Sequence, residues 1–151
     1  MMAVYLLTYN PLKSKWDGRE AQLRGIARAE AAGQVVEGRW SIARKHDIGP
    51  GDGVFLVRQA LKPRGIIASG VVTNAPYTDA HWEIPGELSE YVDVDWIRAV
   101  PFADPLRLGD LRRVSPNQHW EPQQSGIVLR PEYAQAVADL WDAHGLKRRR
   151  W

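Results

Sequence analysis

The sequence predicts an α+β domain in which a small closed or half-closed β-barrel carries helices at its two ends. Three observations lead there. Five or six short runs rich in Val, Ile, Leu and Tyr are separated by Gly, Pro and Asn turns. Helical periodicity appears once early and once at the C-terminal end. The spacing of the runs does not repeat, so no solenoid or propeller is implied.

Taken in order, Ala3 to Thr8 is a short apolar run of β-formers and reads as a buried strand. Tyr9-Asn10-Pro11 ends it as a turn. Asp17, with Glu20 three residues on, reads as a capping box for a helix over residues 18–32, whose Leu23, Ile26 and Ala27 share a face. Gly33 stands where a C-cap glycine belongs. Gln34 to Ile42 is extended and contains Arg39-Trp40-Ser41, and the glycine-rich stretch Ile48 to Gly53 is a tight turn. Val54 to Arg58 is a strand, Leu61 to Arg64 a hairpin-like connection, and Gly65 to Val72 the next strand, with Gly70 marking a bulge or a close backbone approach. Residues 76–90 read as a long loop and Tyr91 to Val100 as a strand in which Asp93 and Asp95 share a solvated face. Leu106 to Val114 is one or two helical turns, residues 115–125 a polar loop around Trp120, and Gly126 to Leu129 a short strand. Pro131 opens a last helix with Tyr133, Val137, Leu140 and Trp141 at core spacing, closed by Gly145.

A chain of 151 residues fits one domain, here residues 1–146, followed by a basic tail or linker at 147–151. An apolar share of 44% with 25% charged residues is that of an ordinary globular protein. The absence of cysteine excludes disulfides and most structural zinc sites, and fits a reducing cytoplasm. No apolar run reaches the ~20 residues of a membrane span, and the first eight residues lack signal-peptide features. The plentiful Ala, Gly, Arg and Trp suggest a GC-rich bacterial genome. The net charge of +2 is unevenly placed: residues 1–66 carry +5 and residues 67–111 carry −6, so a polyanion is expected to dock on the N-terminal half. His46, His81, His119 and His144 form no metal-ligand pattern. There is no GxSxG elbow, and the glycine turn at 49–53 lacks the GK[ST] of a phosphate loop. Neither a cofactor nor a metal is expected.

Tryptophan is the unusual feature. There are seven, and Trp40, Trp82 and Trp120 stand beside polar residues instead of inside apolar runs, whereas Trp96 and Trp141 have core periodicity. Aromatic faces stack on a flat base for about 1–3 kcal/mol. The amides and hydroxyls of Asn10, Ser41, Gln59, Gln123, Gln124 and Ser125 are of the type that reads a base edge. A core or loop-anchoring role for the same tryptophans remains the alternative at this point.

The ordered set Tyr5-Leu6-Leu7-Thr8-Tyr9-Asn10-Pro11, Arg39-Trp40-Ser41, residues 48–59, Pro63 to Gly70, Pro76-Tyr77, His81-Trp82, Tyr91 to Val94 and Trp120 with Gln123-Gln124-Ser125-Gly126-Ile127 resembles the EVE domain. The similar variant is the one found ahead of HNH nuclease domains in modification-dependent restriction enzymes, and the resemblance spans about residues 3–145. It implies a PUA-like fold, a compact mixed β-barrel of about five to six strands with flanking helices. It also implies a cytoplasmic reader of modified cytosine, typically 5-methylcytosine, in double-stranded DNA, which flips the base into an aromatic pocket. The positions matching that pocket are Tyr9, Asn10, Trp40, Ser41, Gln59, Trp82, Trp120, Gln123, Gln124 and Ser125. Trp40 and one of Tyr9, Trp82 or Trp120 would stack, and Asn10, Ser41 and Gln59 would read the Watson–Crick edge. Arg39, Arg44, Lys45, Arg58, Lys62 and Arg64 would hold phosphates. Tyr9 stands where that variant carries tryptophan. No ββα-metal histidine pattern is present, so the chain itself is not expected to be an enzyme. It reads as a stand-alone reader or as the recognition part of a longer HNH endonuclease. An RNA-binding PUA-like module is the alternative reading, and a catalytic PUA-like relative a third that the lack of nucleophile and metal motifs disfavours.

Overall fold

The computed structural model describes residues 2–43 and 47–148. The elements run β1 (Val4–Tyr9), α1 (Arg19–Ala31), β2 (Val36–Ile42), β3 (Gly53–Arg58), β4 (Gly65–Val72), β5 (Tyr77–Ala80), β6 (Leu88–Ala99), β7 (Leu106–Arg107), α2 (Leu108–Val114), β8 (Ile127–Val128) and α3 (Ala134–Leu146). The fold is of the α+β class expected, with eight strands where five or six were expected, the added ones being the short β5 and β7. The eight strands form one mixed sheet in the order β2-β6-β4-β3-β1-β8, with β5 paired to the start of β6 and β7 to β4. Among the described residues only β1 and β3 run parallel; the other pairs are antiparallel.

Side-chain alternation along the strands makes two cores. On β1, Tyr5, Leu7 and Tyr9 face one and Leu6 the other; on β3, Val54 and Leu56 oppose Phe55 and Val57 in the same way. The first core lies inside the curl of the sheet beneath Leu23 and Ile26 of α1, and includes Trp96. The second lies beneath α2 and α3, around Trp120 and Trp141. The curl leaves a seam. β2 and β1 approach one another without a ladder: the Trp40 indole donates to Thr8 O at 3.1 Å, and beyond β2 the Ala43 N–H donates to Ser125 O at 3.1 Å. The barrel is therefore half closed.

The local readings diverge at four places. The Asp17–Glu20 capping box does not form, because Gly18 takes the N-cap position at φ 73° with no side-chain cap, and the Glu20 carboxylate accepts from the Phe102 N–H instead. Residues 76–90 hold a hairpin and not a single loop: β5 pairs with β6, which starts at Leu88. The stretch at Leu106 begins as a two-residue strand before α2. Gly145 lies inside α3, where the Arg98 side chain crosses too closely for a Cβ (2.7 Å to its Cδ). At Gly33 and Gly70 expectation and structure coincide. Gly33, at φ 71°, closes α1 in a Schellman arrangement, with Gln34 N–H to Ala29 O and Gly33 N–H to Glu30 O. The β4–β6 register shifts between Ser69 and Gly70, and a Cβ on Gly70 would lie 2.5 Å from Asp95 O.

Candidate functional site

The unpaired seam between β1 and β2 opens into a cleft of about 250 Å³. The end of β1 supplies Thr8, Tyr9 and Asn10; β2 supplies Arg39, Trp40 and Ser41; the segment before α1 supplies Ser14 and Trp16; and Trp82 closes the far side from the β5–β6 loop. Tyr9, Trp16 and Trp40 meet edge to face, with ring centroids 5.2–6.2 Å apart. Their polar atoms are already engaged: Trp16 Nε1 donates to Gln22 Oε1 at 3.0 Å, Trp40 Nε1 to Thr8 O, and the Tyr9 hydroxyl to Ser14 O at 2.9 Å. The aromatic groups thus offer the cleft ring surface and keep their hydrogen bonds within the protein. Among the described residues, the Ser14 and Ser41 hydroxyls and the Asn10 amide nitrogen make no hydrogen bond, so they remain available to a bound group. Asn10 Oδ1 accepts the Leu12 N–H at 2.9 Å, which fixes the turn carrying it.

The opposite wall is held by a polar network. Tyr91 on β6 accepts the Trp82 N–H (3.0 Å) and donates to Ala80 O (2.9 Å). His81 Nδ1 accepts the Glu83 and Ile84 N–H groups and stacks beside Trp82 at an interplanar angle of 13°. Arg39 lies 3.9 Å over the Tyr91 ring and donates to Asp79 Oδ2 at 2.8 Å. That contact raises the Arg39 pKa above its ordinary value and holds Asp79 below the usual carboxylate range. Behind them the Tyr77 hydroxyl donates to Asp93 (2.6 Å); burial first, and then this bond, push its pKa up. Asp93, expected on a solvated face, is in fact half-buried and also receives the Asn74 amide.

The expected site residues separate into groups. Tyr9, Asn10, Trp40, Ser41, Trp82 and Arg39 come together in the cleft. Gln123, Gln124 and Ser125 line an adjoining trough of about 520 Å³ that shares Thr8, Asn10, Ser14 and Ser41 with the cleft. Gln59 is buried, and its amide nitrogen donates to Pro122 O at 2.7 Å; it supports that trough instead of reading a base edge. Trp120 is a correction. It is 1% exposed, packs in the second core and donates to Ser115 Oγ, so it walls no cleft. Arg58 is another. Its guanidinium turns inward over Phe102 and donates to Phe102 O (2.6 Å), Leu61 O and Lys62 O, with burial lowering its pKa. It is committed to carbonyls and unavailable to phosphate. Lys62 is exposed, and Arg64 is paired with Glu121. Arg44 and Lys45 lie outside the described residues.

Trp16, Ser14, Gln22 and Tyr91 are cleft residues the sequence reading missed. Trp16 carried the signal used for Trp40 and Trp82, an indole among polar neighbours (Lys15, Asp17). Tyr91 carried none, since strand alternation sets it on the face shared with Asp93 and Asp95, which reads as solvated. Among the described residues no three potential metal ligands gather, and no helix is long and apolar enough to cross a membrane.

No family model matches the chain, and no curated protein does. Solved structures do. A hypothetical protein from Leishmania major is similar over 95% of this chain and 97% of its own, with 17% identity and a TM-score of 0.61. The human THYN1 protein, in complex with DNA containing 5-methylcytosine, covers 91% of this chain and 96% of its own at 16% identity and TM-score 0.57. The Mmi1 YTH domain covers 97% and 79% at 10% identity and TM-score 0.56. At these identities the likeness is one of fold.

Proposed function

We propose that this chain reads modified cytosine, in particular 5-methylcytosine, in double-stranded DNA by taking the flipped base into the β1–β2 cleft. The carrying observation is the cleft itself: Tyr9, Trp16, Trp40 and Trp82 line it together with hydroxyl and amide groups that make no hydrogen bond among the described residues. The sequence resemblance to EVE domains and the likeness in fold to human THYN1, solved with 5-methylcytosine DNA, support the same ligand. Flipping costs a few kcal/mol of lost stacking and pairing. Stacking against Trp40 on one side and Trp82 on the other returns about 1–3 kcal/mol per ring, enough to offset that cost. Asn10 and Ser41 read the base edge, and the remaining affinity comes from phosphates held by Lys62 and, in exchange for its carboxylate, Arg39. In this reading the chain recognises a mark and catalyses nothing; strand cleavage belongs to a fused nuclease domain where one exists.

The test is a binding panel of otherwise identical duplexes carrying cytosine, 5-methyl-, 5-hydroxymethyl- and N4-methylcytosine, with structured RNA as competitor. The expected result is tightest binding to a methylated duplex, with Trp40→Ala removing most of the difference. Equal affinity for all four duplexes, or preferential competition by RNA, overturns the reading.

A further inference from the structure

The loop at residues 121–125 is fastened at each end and free in the middle. Glu121 is gripped by Arg64 and by Arg112, the latter at 2.9 Å. Pro122 O receives the buried Gln59 amide. Ser125 Oγ accepts the Thr8 N–H at 2.8 Å, and Ser125 O accepts the Ala43 N–H. Between these anchors Gln123 and Gln124 are exposed, and among the described residues their amides make no hydrogen bond. Both line the trough that runs on from the cleft past Asn10 and Ser41, and Lys13 stands on its rim. The trough is predominantly polar where the cleft is predominantly apolar. Holding a loop at five points so that two amides face an open groove is the arrangement of a preorganised reader, because the entropy of ordering those side chains is partly met before binding.

We infer that this trough is a second subsite, which takes the nucleotide adjacent to the flipped base and selects it through Gln123 and Gln124. The inference rests on the cleft's being a base site. A side-chain amide presents an N–H donor beside a carbonyl acceptor in one plane, the pattern that matches the acceptor and donor on the edge of adenine. Lys13 holds the phosphate on that side. The subsite gives the protein a flanking-sequence preference for adenine at one neighbour of the modified base. The direct contact of a bidentate amide discriminates by about 1–3 kcal/mol, or roughly 5- to 150-fold.

The experiment measures affinity for duplexes with a central 5-methylcytosine and each of the four bases at each neighbouring position, using the wild-type chain and Gln123→Ala/Gln124→Ala. The expected result is an at least 5-fold adenine preference on one side, reduced below 2-fold in the double variant while its ratio of methylated to unmethylated binding is kept. A wild-type profile flat within 2-fold, with methyl discrimination intact, overturns the subsite alone. So does a double variant that weakens every flank equally, since that is the mark of a backbone contact. Wild-type protein that does not discriminate methylated from unmethylated duplex overturns the base site and the subsite together.

Discussion

Trp40 and Trp82 face the same cleft but differ in what else depends on them. Trp40 packs edge to face on Tyr9, Trp16 and Trp96 and bonds to β1, whereas Trp82 is 48% exposed on its loop. Trp82→Ala is therefore the cleaner probe: affinity for a 5-methylcytosine duplex falls about 5- to 150-fold, the value of one stacked ring, with little change in the thermal midpoint. Trp40→Ala lowers both, costing about 2–4 kcal/mol of stability as a partial core deletion. Isothermal binding with parallel melts separates the two variants. Arg58 makes the opposite case. Three carbonyls and the Phe102 ring hold its guanidinium, with Arg19 over the same ring at 4.0 Å. Arg58→Met is expected to lose about 2–4 kcal/mol of stability because those carbonyls are left unmatched, and to leave the salt dependence of DNA binding unchanged. A phosphate-binding arginine would instead reduce that slope by about one. Residue type alone did not separate these roles. An arginine at a strand end and a tryptophan before Glu-Pro look surface-directed in sequence, and only the tertiary path turns Arg58 and Trp120 inward.

Elements were legible where their own residues determine them. The Gly33 end of α1 is set by a local Schellman turn and was read correctly; its start was not, because Gly18 supplies by backbone conformation what Asp17 was expected to supply by side chain. The two accounts predict different variants. Asp17→Ala is expected to change stability by less than about 0.5 kcal/mol, while Gly18→Ala costs about 1 kcal/mol for an alanine held at positive φ; chemical denaturation distinguishes them. β5 was missed because its sequence, Tyr-Thr-Asp-Ala, has no apolar alternation and is made a strand only by pairing with β6. α3 carries a device visible only once folded. His144 stacks on Trp141 at 17°, its Nε2 lies 2.8 Å from Asp104 O, and burial, aided by the Arg148 charge, lowers its pKa despite the opposing charges of Asp104 and Asp110. The folded state resists the proton, so unfolded chains bind it first. This contribution to stability is complete above the ordinary value of 6.5 and is lost as pH falls below it. His144→Gln is expected to flatten the fall in unfolding free energy as pH drops below about 6.5. Asp104, held low by Arg148, acts only in the more acidic carboxylate range.

At the scale of the molecule, the division of charge along the chain does not become a division of faces. The strand order sets β2, from the basic half, against β6, from the acidic one, with Arg39 in register with Asp93. Arg39 pairs with Asp79 and Arg64 with Glu121, each an acid from outside that half. The +5 of residues 1–66 is thus partly neutralised in place, and counting basic residues by sequence overstates the field that a duplex meets. The β1–β2 seam was equally hidden: it exists because two strands come close without pairing, a property of the curled sheet and of no single run. Both points meet at Arg39, which is on the seam and already holds a carboxylate. If the chain reads DNA as proposed, a phosphate approaching it must displace Asp79 or share the cation with it, and the wild-type chain is then expected to bind any duplex more weakly than its lysines and arginines suggest. Asp79→Asn removes that competitor without touching the cleft's rings. Affinity is expected to rise for modified and unmodified duplexes by the same factor, because phosphate contacts carry no sequence information. The slope of log K against log salt should steepen by about 0.9, one more phosphate neutralised. An Arg39 that reads the base edge instead would show itself in the same titration, as a ratio of methylated to unmethylated affinity that moves while the slope stays fixed.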